Sequence, residues 1–209
     1  MFEKFDQTSY HQLCDLLGGH HPDLQLILDR YGYPPFWSRP NTFESLVHII
    51  LEQQVSLASA LAAINKLKEK IDEVTPARML LLTDQELREC YFSRQKTEYV
   101  RHLAQNIVSG TLSLSEMEKM DDLTVRNRLK RIKGIGDWTV DIYLIFMLHH
   151  QDIFPIGDLA AVNSLKKVKS LSAGVGKEEV SLVAEQFKPY RTIATMLLWH
   201  AYLVERKQK

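Results

Sequence analysis

Cysteine is scarce: Cys14 and Cys90 are the only two among 209 residues, far apart and without a partner at metal-ligand spacing. This excludes a disulfide framework and supplies no zinc or iron–sulfur ligand set, so two buried free thiols are expected. Net charge is also lacking, with 26 Lys+Arg against 26 Asp+Glu. That argues against a protein that coats nucleic acid by bulk charge. No apolar run is long enough to cross a bilayer, and Met1 to Asp6 lacks a charged-then-apolar leader pattern, so no membrane role and an intracellular location are expected. There is no fixed 20–50-residue repeat and no low-complexity tract. What is present, 45% hydrophobic and 25% charged residues, describes one globular domain or two closely packed halves.

Period-2 runs rich in Val, Ile and Thr are nearly absent, whereas helix start and stop signals recur, so the fold class is all-α. Asn41 with Glu44 and Thr83 with Glu86 have capping-box spacing, Thr75 precedes a first-turn Pro76, and Ser93 can cap the helix that stops at Gly110. The pattern predicts helices near 4–17, 22–31, 42–54, 57–72, 76–81, 84–90, 94–109, 122–132, 137–149, 159–170, 177–187 and 190–206. Pro34-Pro35 with Pro40, and Gln151 to Gly157, are the clearest breaks. They suggest a central bundle over about 41–149 and a second subdomain from about 1–40 plus 150–209.

Basic residues cluster at Arg126, Arg128, Lys130, Arg131 and Lys133, at Arg94, Lys96, Arg101 and His102, and at Lys166, Lys167 and Lys169. Each cluster can be a solvated helix face or a set of phosphate contacts. Within the first lies Lys133-Gly134-Ile135-Gly136, two glycines flanking one aliphatic residue between amphipathic segments. Gly134 and Gly136 can take positive φ and allow close backbone approach, while Ile135 can pin the turn to the core. The helix that follows points unpaired N–H groups and its dipole's positive end outward, which suits a DNA phosphate. Taken alone, the same spacing also describes an ordinary helix-to-helix turn.

Asp158 lies 22 residues after Gly136, beyond a helix and the loop Phe154-Pro155-Ile156-Gly157. An Asp ahead of Leu159-Ala160-Ala161-Val162 is a good helix N-cap. A carboxylate fixed there can also stabilise a positive charge that develops on a bound substrate, and can orient or deprotonate water.

The combination resembles the helix-hairpin-helix (HhH-GPD) DNA glycosylase superfamily, and within it 3-methyladenine DNA glycosylase II and its shorter relatives. Glu52-Gln53-Gln54-Val55-Ser56 is similar to that subgroup's early helix motif, Gly136-Asp137-Trp138-Thr139 to its hairpin exit, and Lys188-Pro189-Tyr190-Arg191 through Trp199 to its closing helix. The resemblance implies one glycosylase domain of two packed helical subdomains, with the active-site cleft between them. Its residues would be Asp158 as the catalytic carboxylate, Lys133, Gly134, Ile135, Gly136 and Thr139 gripping DNA, and Trp138 and Trp199 as base-pocket aromatics, with Tyr143 and Tyr202 close enough in sequence to be further pocket candidates. In an arbitrary protein such aromatics are more often core. A base alkylated at N3 or N7 is cationic, however, and an indole face attracts it.

Bifunctional members place a Schiff-base lysine shortly after the hairpin. Trp138 stands there in this chain, which implies direct hydrolysis by water. The extruded base must be replaced in the stack, and Phe92, Ser93 or Arg94 are wedge candidates, with helix capping an equally good role for Ser93. No side-chain metal site and no cofactor are implied, apart from a monovalent cation that hairpin backbone carbonyls can hold. The expected partner is duplex DNA containing a damaged base, bound by a monomer that is cytoplasmic in a bacterium or nuclear in a eukaryote. Asp137 beside a phosphate is unfavourable unless it turns away, so modest DNA affinity is expected. The alternatives are a glycosylase for deaminated or oxidised purines, a non-catalytic DNA-structure-binding protein that keeps the hairpin, and a helical interaction scaffold.

Overall fold

The computed structural model describes residues 3–207, and among them a single bridge, Lys4 to His150, is the only β pairing. The all-α class follows from thirteen helices among the described residues. Two, α1 (Gln7–His20) and α2 (Pro22–Tyr31), precede a proline-rich segment. Then come α3 (Phe43–Glu52), α4 (Leu57–Ile71), α5 (Pro76–Leu81), α6 (Asp84–Glu89), α7 (Arg94–Val108), α8 (Leu114–Met117), α9 (Asp122–Leu129) and α10 (Asp137–Phe146). The chain ends with α11 (Leu159–Val168), α12 (Lys177–Glu185) and α13 (Arg191–Lys207). No helix among the described residues is long and apolar enough to cross a membrane.

The chain divides into two compact units, one running up to Ser38 and resuming at Leu144, the other spanning Arg39–Tyr143. The second boundary therefore falls inside α10. In the first unit α13 packs against α1, α2 and α11. It buries Ile193, Ala194, Met196, Leu197, Leu198 and Ala201, and also Thr192 and Thr195, whose hydroxyls donate to backbone carbonyls. In the second unit α3 packs against α4 and α7. Its Leu46, Val47, Ile49, Ile50 and Leu51 are buried, an apolar sequence almost all round that belongs inside a bundle.

Helix starts follow their caps. Thr83 Oγ1 accepts from Glu86 N–H while the Glu86 carboxylate accepts from Thr83 N–H, and Thr75 and Ser93 cap α5 and α7. The first helix starts at Gln7, later than expected, because Asp6 and Ser9 close a capping box ahead of it. At α3 the cap is Thr42, accepting from Ser45 N–H, and not Asn41. Asn41 faces inward instead: its amide donates to Leu114 O and Glu118 Oε1, both at 2.9 Å, and its Oδ1 accepts from Tyr143 at 2.8 Å. The four-residue α8 has no counterpart in the periodic pattern, being too short to show one.

Candidate active site and hairpin

The hairpin belongs to the second unit. After α9, Ile132 N–H donates to Leu129 O and Ile135 N–H to Ile132 O, closing the chain into a tight turn before α10. Gly134 sits at φ +87°, and a Cβ there would lie 2.0 Å from the Tyr99 ring, so only glycine fits. Gly136 does not take positive φ: it is exposed, and a Cβ on it would meet nothing within 4 Å. Ile132 and Ile135 are buried and anchor the turn.

A side chain outside the motif braces it. Gln53, at the C-terminal cap of α3, donates from Nε2 to Gly134 O and to Thr139 Oγ1, both at 2.9 Å. Thr139 is only 2% exposed, so its side chain serves the interior and is no surface contact for DNA. Two hairpin carbonyls that a monovalent cation could use are thus already engaged, Ile132 O by Ile135 N–H and Gly134 O by Gln53.

Most of the charges around the hairpin are arranged in pairs. Lys133 pairs with Glu98, and Lys130 reaches both oxygens of Asp137, at 2.8 and 3.0 Å. Arg126 lies 3.5 Å from Asp137 and 2.6 Å from Asp141. The hydrogen-bonded Lys130 ammonium holds the Asp137 carboxyl below the usual range. The carboxylate that looked unfavourable beside a phosphate is therefore neutralised within the chain. Asp141 is the reverse case: burial pushes its carboxyl up to about 6, against the opposing pull of Arg126.

Asp158 belongs to the first unit. It caps α11, its Oδ1 accepting from Ala161 N–H at 2.9 Å and also from Trp199 Nε1 at 2.9 Å. The loop before it is fastened to the start of α13. Arg191 forks onto both carboxylate oxygens of Asp152, at 2.7 and 3.0 Å, and onto Asp152 O, while Thr192 Oγ1 accepts from Ile153 N–H and donates to His150 O. A charged fork of this kind fixes direction as well as distance. The closing-helix motif thus holds the carboxylate loop at one end, through Arg191, and the carboxylate itself at the other, through Trp199.

Two more aromatic rings meet Trp199. Phe146 is tilted against it at 5.5 Å between centroids, and Trp37 meets it edge-on at 6.4 Å. Trp37 is half-buried in the proline-rich segment, where neighbouring residues are anchored: Phe36 packs on Phe5, Tyr10 and His149, and Ser38 is hydrogen-bonded to His149. Sequence reasoning found neither Trp37 nor Phe146, nor the roles of Gln53 and Arg191. Only the motif membership of Gln53 and Arg191 could have drawn attention to them.

The other expected site residues divide. Tyr143 is fully buried and its hydroxyl is committed to Asn41, so it is a core residue and no pocket wall. Trp138 is half-buried on the first turn of α10, and Tyr202 is half-buried one turn beyond Trp199. Of the wedge candidates, Phe92 is 4% exposed and so packed inside, Ser93 is spent on the cap of α7, and Arg94 is exposed. Beside them Tyr91, which sequence reasoning passed over, is exposed at φ +65°.

The chain is similar to known DNA repair proteins. Residues 47–189 match the profile of the HhH-GPD superfamily base excision DNA repair protein. The alkylbase DNA glycosidase-like protein mag2 of Schizosaccharomyces pombe is 34% identical over 79% of this chain and 80% of its own. DNA-3-methyladenine glycosylase 1 of the same organism is 27% identical over 91% of this chain and 81% of its own. Among solved structures, the S. pombe 3-methyladenine DNA glycosylase Mag1 in complex with abasic DNA superposes with a TM-score of 0.83 at 28% identity, covering 90% of this chain and 95% of the other. A DNA-3-methyladenine glycosidase from Bacillus halodurans gives 0.77 at 28% identity, covering 94% and 91%.

Proposed function

Because the chain belongs to the HhH-GPD superfamily of base excision DNA repair proteins, we propose that it is a monofunctional DNA glycosylase that hydrolyses the N-glycosidic bond of alkylated purines in duplex DNA. The observation that carries this reading is the double anchoring of Asp158 Oδ1 by a helix N–H and an indole N–H, beside the rings of Trp199, Trp37 and Phe146.

A purine methylated at N3 or N7 carries a positive charge and departs as a neutral base when the C1′–N bond breaks with both electrons going to the base. The charge passes to the sugar as an oxocarbenium ion, which a fixed anion stabilises. Water then forms the new C1′–O bond and loses a proton to Asp158 or to solvent, leaving an abasic site and an intact strand. The electron-rich indoles favour a cationic base by about 0.5–2 kcal/mol each, so part of the selectivity resides in the lesion. Asp137-Trp138 at the hairpin exit supplies no amine there for a Schiff base. Gly136, open above its Cα, leaves room for a phosphate at the start of α10.

The test is base release from duplexes carrying 3-methyladenine, 7-methylguanine, hypoxanthine, ethenoadenine, uracil or 8-oxoguanine. Release of the two cationic purines is expected, with loss of release but retained duplex binding in Asp158→Asn and no borohydride-trapped adduct. Release confined to neutral lesions, or full activity of Asp158→Asn, would refute the reading.

A further inference from the structure

We propose that the cleft between the end of α7 and the end of α9 is a phosphodiester-binding subsite for the DNA strand, with Arg131 as its principal cation. The inference rests on the duplex-binding reading above and adds a site separate from the hairpin amides. The cleft measures about 280 Å³ and is lined by Asn106, Thr111, Leu112, Arg128, Arg131 and Ile132. Its shape comes from two turns. After α7 the chain reverses at Gly110, φ +75°, and Leu112 N–H returns to Asn106 O, which presents Thr111 on one wall. After α9 the first turn of the hairpin presents Arg131 on the other, with Ile132 buried beneath both.

The charge pattern points to an anion. Of the basic run at the hairpin, Arg126 pairs with Asp141, Arg128 with Glu116, Lys130 with Asp137 and Lys133 with Glu98. Arg131 alone in that run has no carboxylate partner among the described residues, and it is exposed. Of the two guanidiniums that line the cleft, that of Arg128 is paired with Glu116, which leaves the one positive charge of Arg131 for the one negative charge of a phosphodiester. A guanidinium can donate two parallel N–H groups to phosphate oxygens, and the Thr111 hydroxyl, 2.9 Å from that of Ser109, can turn its proton into the cleft. Ile132 is shared with the hairpin turn, so an anion in the cleft lies on the same strand-gripping end of α9.

The experiment measures the affinity of the whole chain for an undamaged duplex by fluorescence anisotropy at salt concentrations from 50 to 200 mM, and so stands apart from base release. One lost phosphate contact lowers the slope of log affinity against log salt by about 0.9, which is a roughly threefold smaller loss of affinity across that range. Arg131→Gln is expected to show this reduction and Arg131→Lys to restore most of the slope. Arg131 is exposed, so neither change should disturb folding, and a matched thermal melt checks this. A second arm replaces chloride by inorganic phosphate at constant ionic strength. An unchanged slope in Arg131→Gln overturns the proposal. If phosphate competes with duplex only when Arg131 is present and the slope stays fixed, the cleft takes free phosphate and the DNA assignment falls. If the slope drops but no duplex loses a base, the catalytic reading fails and the subsite stands.

Discussion

Replacing Gln53 by Met keeps the side chain's length and removes its donor. Two hydrogen bonds at 2.9 Å are lost, to Gly134 O and Thr139 Oγ1. At about 1 kcal/mol each, and with the half-buried Gly134 carbonyl partly regaining water, the stability loss should be about 1–2 kcal/mol. The larger consequence concerns the hairpin. Gly134 is held in a left-handed conformation under the Tyr99 ring, and the Gln53 amide is what ties its carbonyl to α3. Without that tie the turn must be ordered when DNA binds, and a cost of about 1.4 kcal/mol is tenfold in affinity. The assay is a titration of undamaged duplexes of several sequences against wild type, Gln53→Met and Thr139→Val, with urea unfolding in parallel. Gln53→Met should weaken all duplexes alike by about tenfold, whereas Thr139→Val, which spares the Gly134 contact, should weaken them much less. If Gln53→Met loses stability but keeps duplex affinity within about twofold, the brace is structural only and the reasoning is wrong.

Gly134→Ala should be strongly destabilising, by about 3 kcal/mol or more, because it combines positive φ with a Cβ inside the Tyr99 ring. Gly136→Ala should leave the melting temperature nearly unchanged, so equal melting temperatures for the two would contradict the geometry. For Asp141 the folded-state value, raised from 3.8 to about 6 by burial, means that the folded protein holds this proton more tightly than the unfolded chain. The contribution to stability is therefore fully present below pH 4 and is lost as pH rises through about 6, a change of about 3 kcal/mol at most. Asp141→Asn should remove that dependence, so that the stability difference from wild type shifts in favour of wild type between pH 7 and pH 4. A difference in urea stability that stays constant across this range would show that Arg126 cancels the burial. Trp199→Phe keeps a ring against Phe146 but removes the indole N–H from Asp158. Single-turnover base release should slow by about tenfold or more with duplex affinity unchanged, and an unaltered rate would deny the indole its orienting part.

Much of the fold was legible because the longer helices carry their own signals: the caps at Thr75, Thr83 and Ser93 and the apolar period of α4 and α7 are local facts of the chain. Asn41 was not legible, since two adjacent residues each had a helical partner three residues on. The choice was decided by Tyr143, 102 positions away. The same limit applies at the site. Asp158 could be read as a cap from its neighbours, but its bond to Trp199 spans 41 residues. Trp37 lies in a stretch whose prolines mark only a break. The helix α10 is apolar on nearly every face, so nothing in its sequence distinguished the buried Thr139 and Tyr143 from the half-buried Trp138. Phe92 was misread for a related reason: a buried ring and a protruding one look alike in a short loop.

The two thiols carry a practical consequence. Cys14 and Cys90 are both buried, and burial pushes the Cys14 thiol up to about 12 and raises that of Cys90. A thiol without appreciable thiolate and without access reacts slowly with maleimides and iodoacetamides. A cysteine introduced at an exposed position such as Arg94 or Lys119 would therefore be the fast-reacting one in the otherwise unaltered chain. Fluorophores or spin labels can be attached there without first removing the native sulfurs, and the approach of a labelled oligonucleotide can be timed against a single known point.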